Sequence, residues 1–264
     1  MKFAPIPILS LLVIWGGSVA AQTDTERLYP THTFEVGPAF SYITYKEPHM
    51  KIDGMVYGIV VSYAYHNHVM LKGEFNGNYG KIDYSGSTMT GTPVSGDNTL
   101  NEMWELRGLG GYDFPLFTSS IFTPYIGFGV RYLNNDILPT LYERESYYLY
   151  SPIGISVLTG LKNGWSIGGT GEYDVFWSGY QNSHPIDDIP NLQSDITSHQ
   201  TKGYGLRGSI TLQRKYKRVV LAGGPFVRYW SVDKLPTTIV PNNVPWQEPG
   251  SYSVEVGLAF AVKF

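Results

Sequence analysis

Bulky apolar residues alternate one for one with small or charged residues along most of the chain beyond residue 32. The last thirteen residues are the clearest case: Tyr252, Val254, Val256, Leu258, Phe260, Val262 and Phe264 hold one parity, and Ser253, Glu255, Gly257, Ala259, Ala261 and Lys263 the other. A strand sends successive side chains to opposite faces, so this segment predicts a strand with one wholly apolar face. Nine more segments alternate in the same way, beginning near Phe34, Tyr57, Val69, Trp104, Phe122, Ile153, Trp165, Tyr204 and Val219. No stretch beyond residue 21 carries a 3.6-residue period. The pattern predicts ten strands of roughly 10–15 residues, close to the ~9–11 that cross a bilayer at a tilt.

The connections alternate too. Residues 46–54, 85–99, 134–146, 177–200 and 232–250 are expected as long loops, and 66–68, 113–120, 161–164 and 213–217 as short turns. A soluble sandwich has no reason to sort its loops by parity. A transmembrane barrel does, with short turns at one end and long loops at the other. Aromatic residues gather where the strands end, at Tyr45, Tyr65, Tyr79, Trp104, Tyr112, Phe122, Tyr132, Trp165, Trp177, Tyr204, Tyr229 and Phe264. A ring with an apolar body and a wet tip is most stable at the headgroup level.

Residues 1–21 differ from the rest. Lys2 is the only charge, an apolar core runs from about Ile6 to Trp15, and Val19-Ala20-Ala21 offers small residues at a cleavage site before Gln22. This reads as an export signal, because the apolar run is shorter than the ~20 residues a spanning helix needs. The expected organisation is a signal peptide at 1–21 and one β-barrel domain at 22–264, its strands running from about 33 to 264. Composition agrees. Charged residues are 16% of the 264, well under the roughly 25% usual for soluble domains, while aromatics reach 15%. Intrinsic disorder is excluded by that profile. With no Cys there is no disulfide, thiolate zinc site or thiol nucleophile. With 19 Lys+Arg against 22 Asp+Glu, nucleic acid is not expected as a partner.

On these residues the chain resembles the small single-chain outer-membrane β-barrel proteins of Gram-negative bacteria, a porin-like group. YSVEVGLAFAVKF at 252–264 resembles their barrel-assembly signal, carried by Tyr252, Val254, Val256, Leu258, Phe260, Val262 and Phe264; TPYIGFGVRY (123–132), GEYDVFWSG (171–179) and GYGLRGSI (203–210) resemble their strands. The resemblance implies an all-β, antiparallel up-and-down transmembrane barrel with short periplasmic turns and long extracellular loops. It also implies integral placement in the bacterial outer membrane after cleavage near Ala21. The implied partners are outer-membrane lipid, lipopolysaccharide and the barrel-assembly machinery.

The parity opposite the apolar one carries Glu35, Lys72, Glu74, Glu105, Arg107, Arg131, Glu172, Asp174, Arg207, Arg228, Glu255 and Lys263, six acidic and six basic. Charges are costly against lipid, ~2–4 kcal/mol for a mid-plane Arg or Lys, so they are expected to face the lumen and pair there. Arg131, Arg207 and Arg228 are each expected to reach a carboxylate among Glu105, Glu172, Asp174 and Glu255. A small barrel is largely filled by its own side chains, so a plugged lumen is expected. Gly127, Gly129, Gly154, Gly168, Gly205, Gly224 and Gly257 on the same parity leave room for long side chains or for water.

No catalytic, cofactor or metal residues are assigned. The segment 177–200 holds His184, Asp187, Asp188, Asp195 and His199. Ten-stranded omptin proteases use Asp pairs and Asp–His pairs at the outer rim, but on opposite walls, whereas these residues share one loop; a solvated polar loop is the plainer reading, a divalent-cation site the sharper one. His66-Asn67-His68 reads as a turn, since nothing near it in sequence supplies further ligands. Gly108-Leu109-Gly110-Gly111 precedes no helix, so it is not a phosphate cradle. The expected role is therefore a structural or surface-interaction protein, with an unknown extracellular ligand for its loops. A narrow pore for ions or small solutes is the alternative, and an enzyme with a site at the rim is a remote third.

Overall fold

The computed structural model describes residues 28–87, 91–136, 142–185, 196–236, 238–240 and 244–264. The proposed signal peptide, and Asp187, Asp188 and Asp195, lie outside the described residues. Fourteen strands are present among them: β1 (His32–Glu47), β2 (Met50–Asn67), β3 (Val69–Ser87), β4 (Pro93–Tyr112), β5 (Phe114–Leu116), β6 (Ser120–Asp136), β7 (Tyr142–Gly160), β8 (Trp165–Pro185), β9 (Ile196–Gln200), β10 (Gly203–Tyr216), β11 (Val219–Val232), β12 (Thr238–Val240), β13 (Val244–Trp246) and β14 (Ser251–Lys263). Ten of them form a closed antiparallel ring in the order β1-β2-β3-β4-β6-β7-β8-β10-β11-β14, with β14 pairing back to β1. The seam is sealed by Lys263 opposite Glu35 and by mutual hydrogen bonds between the backbones of Phe34 and Phe264. Closure leaves no unpaired strand edge, which is the condition for β-structure in a bilayer.

The alternation places side chains as expected through the middle of the barrel. Phe40, Tyr57, Leu71, Leu106, Phe128, Ile153, Ile167, Leu206, Leu221 and Leu258 all stand exposed on the outer wall. Rings on that wall touch across neighbouring strands. Trp104, Tyr132 and Tyr147 form one chain, and Tyr173, Tyr204, Tyr229 and Tyr252 another, with centroids 4.8–6.4 Å apart.

Two expectations need correction. Seven of the ten barrel strands are longer than predicted, from 16 residues in β1 to 21 in β8, and much of the expected loop sequence is paired strand. Residues 46–54 are not a long loop: β1 and β2 run on to Glu47 opposite Met50. The reason is an inversion of polarity. Beyond Tyr42 the alternation continues, but the apolar set turns inward, so Ile43, Tyr45, Ile52, Val56, Ile82 and Tyr84 form a buried cluster inside the barrel. Lys46, Lys51 and Asp53 then take the outward parity. Tyr45 is accordingly inside, not in an interfacial belt; its hydroxyl donates to Glu47 Oε1 at 2.6 Å.

The chain reverses within each expected short connection, but more tightly than expected: β5 takes up 114–116 and β10 runs on to Tyr216. Each reversal holds one non-glycine residue in the left-handed region: His68 (φ 61°), Phe117 (φ 57°), Asn163 (φ 60°) and Lys217 (φ 52°). Tight reversal of a hairpin demands such backbone. For His68 this is a turn role of the kind the sequence suggested.

Candidate functional site: a charged lumen

The inner wall carries three polar tiers. The central one is built on Arg207 from β10. Its Nη1 and Nη2 donate to Glu105 Oε2 and Oε1 at 2.6 and 2.5 Å, a bidentate pair with β4. Its Nε donates to Asp174 Oδ2 at 2.7 Å and lies 3.1 Å from Glu172 Oε1. Glu105 and Asp174 are 2% and 0% exposed. From Glu172 the chain of charges continues: Arg107 Nη1 is 2.5 Å from Glu172 Oε1, Arg107 also binds Glu74, and Lys72 Nζ is 2.5 Å from Glu74 Oε1. A second group joins Arg228 to Glu255 at 3.2 Å, with Ser41 and Asn78 donating to the same carboxylate. Lys263 and Glu35 pair at 3.1 Å. Bidentate and shared contacts of this kind are the strong form of the ion pair.

Two inward glycines seat this tier. Tyr150 lies over Gly129, its register partner, and Tyr125 lies over Gly154 in the same way; a Cβ built on those glycines would fall 2.2 and 2.5 Å from the tyrosine Cζ atoms. The absence of a side chain lets each ring lie flat along the wall and extend its hydroxyl to the centre. Tyr150 donates to Glu105 Oε1 at 2.7 Å, and Tyr125 to Glu172 Oε2 at 2.9 Å.

Arg131 departs from expectation. It is 3% exposed and makes no ion pair among the described residues; its guanidinium stands 5.5 Å from the Trp230 ring and its Nε has no hydrogen-bond partner there. Glu105 is its register neighbour, but that carboxylate is taken in bidentate fashion by Arg207. The indole face meets the displaced cation instead.

The tier at the long-strand end was not foreseen. Arg144 binds both Glu47 and Glu248, and Gln181 donates to Glu248. Glu47, Arg144, Gln181 and Glu248 come from four segments expected as loops, and Glu248 is 3% exposed. Burial raises the Glu248 carboxyl above its ordinary range; the attraction of Arg144 opposes the rise and the nearby Glu47 adds to it. Carrying the alternation past Tyr147 into the expected loop would have put Arg144 on the inward parity with Tyr150 and Tyr148.

At the opposite end His66 Nδ1 lies 2.7 Å from Asp113 Oδ2, Thr123 donates to Asp113 Oδ1 at 2.6 Å, and Tyr29 stacks on His66 at 4.2 Å. Burial raises the Asp113 carboxyl, but the bonds from His66 and Thr123 outweigh it and hold it below the usual range. His66 thus has a carboxylate partner that its sequence neighbours do not supply. His184 contacts Glu145 at 3.2 Å, and His199 contacts Ser178 at 2.9 Å. Among the described residues no three His, Asp or Glu side chains converge in a metal-holding arrangement.

No protein-family model and no curated protein matches the chain. Solved structures do. The outer-membrane protease OmpT of Escherichia coli superposes with a TM-score of 0.65 at 8% identity, covering 88% of this chain and 95% of that one. The translocator domain of the autotransporter NalP from Neisseria meningitidis gives 0.44 at 9% identity over 89% and 90%. Ail of Yersinia pestis gives 0.33 at 9% identity over 87% and 97%. At 8% identity the likeness to the protease is one of fold. Together with the closed ring of strands, it identifies this chain as a ten-stranded antiparallel β-barrel of the outer-membrane type.

Proposed function

We propose that the protein is an integral outer-membrane barrel of a Gram-negative bacterium whose lumen is closed by its own charges, and that it acts as a structural or surface-interaction protein. The observation that carries this reading is the crossing of the lumen by Arg207. Its guanidinium joins β10 to β4 through Glu105, and its donors are taken by buried carboxylates and the Tyr150 hydroxyl. Arg144 and Glu248 close the long-strand end above it. An ion entering this space would have to break bonds between buried charges, and an uncompensated buried charge costs about 3–5 kcal/mol. The outer wall supports the membrane placement, since its apolar band and aromatic chains match lipid and headgroup.

The test is electrical. The purified barrel reconstituted in planar bilayers should give no discrete conductance steps, while protease protection on intact cells should show the long-strand end outside. Regular steps from the unaltered protein would favour the narrow pore instead.

A further inference from the structure

Below the central tier the inward residues become small. Ser62, Ala64, Ser156, Thr170, Ser209 and Ala222 line the wall there, and a chamber of about 540 Å3 remains. That is within the ~300–1,000 Å3 of sites for small ligands. Its ceiling is Arg107, Arg207 and Arg228, already bound to carboxylates. Its lip is the end of β10 and the β10–β11 turn, where Lys215, Lys217 and Arg218 line the opening. Among the described residues, eight basic side chains and three acidic ones line the chamber. The ceiling cations are neutralised; Lys217 and Arg218 at the lip make no ion pair among the described residues. The positive excess therefore sits at the mouth, where it draws anions inward. Thr170, Ser209, Thr211 and Gln213 line the interior with hydroxyl- and amide-bearing side chains, and Thr33, whose Oγ1 is buried without a hydrogen-bond partner among the described residues, lines the same space.

We propose that this chamber is a binding site for a phosphate group carried on a hydroxylated body of sugar or glycerol size. The phosphate rests against Lys217 and Arg218, as Lys and Arg favour, and the body enters among the hydroxyl groups. Such a ligand is either a free sugar phosphate or the headgroup of a phospholipid in the adjoining leaflet. The site goes beyond the closed-barrel reading and does not depend on it, because binding is measured in micelles without regard to conductance.

The test is calorimetric titration of the full barrel in a neutral detergent with glucose 6-phosphate, glucose and inorganic phosphate. Glucose 6-phosphate should bind at least tenfold more tightly than either of the others. The double variant Lys217→Glu, Arg218→Glu should lose at least tenfold of that affinity. Ala222→Trp, which fills the chamber and leaves the lip intact, should lose as much. Ser62→Tyr fills it from β2 should Ala222→Trp fail to show the heat-modified gel mobility of a folded barrel. Micelles doped with phosphatidylglycerol separate the sources: competition with glucose 6-phosphate assigns the headgroup, and its absence the free solute. No binding of glucose 6-phosphate overturns the proposal. So does binding that matches inorganic phosphate and survives filling of the chamber, since that is attraction to the lip alone.

Discussion

Replacing Arg207 with Ala removes a side chain that ties β10 across the lumen to β4. Glu105, 2% exposed, keeps the Tyr150 hydroxyl and loses its bidentate partner; Asp174, fully buried, loses its Nε donor. An orphaned carboxylate in that setting either stays charged, at about 3–5 kcal/mol, or takes a proton. Protonation sets a ceiling on the cost: at ~1.4 kcal/mol per pH unit above an ordinary carboxyl pKa of about 4, it is ~4 kcal/mol for each group at pH 7 and about 1 at pH 5. The variant should therefore unfold at clearly lower urea concentration than the parent near pH 7 and recover most of the difference near pH 5. Urea titration followed by tryptophan fluorescence in lipid vesicles measures both. Adding Glu105→Gln should restore part of the stability near pH 7, because it removes one orphaned charge. In a hydrated lumen water screens the pair and its worth falls to ~0–1 kcal/mol. A loss of that size, equal at both pH values, would refute the dry, charge-paired lumen.

Gly129→Ala should weaken the barrel by about 1–3 kcal/mol, the range for overpacking, because the new Cβ would lie 2.2 Å from Tyr150 Cζ; Gly73→Ala, where a Cβ meets nothing within 4 Å, should cost far less in the same titration. Deleting Phe264 breaks the paired hydrogen bonds with Phe34 that finish the seam, and should lower barrel yield in outer-membrane fractions while leaving inner-membrane export unchanged. The raised Glu248 carboxyl means that the folded loop holds a proton more tightly than the loosened one. Its docking should therefore be firmest below the ordinary carboxylate range and weaken as pH rises through the raised value. Hydrogen exchange at the Leu235 amide, which donates to the Glu248 carbonyl, should show greater protection near pH 4.5 than near pH 7.5 after correction for intrinsic rates. The opposite order would show that the Arg144 contact dominates.

The alternation of side chains determined the ten strands of the ring, their inner and outer faces and the apolar outer wall, because a period of two is a local property that each strand carries alone. Leu258 and Glu255 declare their faces within one segment. Cross-strand neighbours such as Arg228 and Glu255 follow once the register is known. The length of the strands did not follow, because above Tyr42 the same alternation continues with its polarity reversed, and a search for an apolar outer stripe ends where the lipid ends. The partners across the lumen depended on the tertiary structure alone. Arg207 and Glu105 are 102 residues apart on strands that are not neighbours in the ring, and Glu47, Arg144 and Glu248 come from β1, from β7 and from the segment between β13 and β14. Parity says that a charge points inward. Only closure of the ring fixes its height and its angle around the axis, and so decides that Arg207 takes both oxygens of Glu105 while Arg131 is left to the face of Trp230.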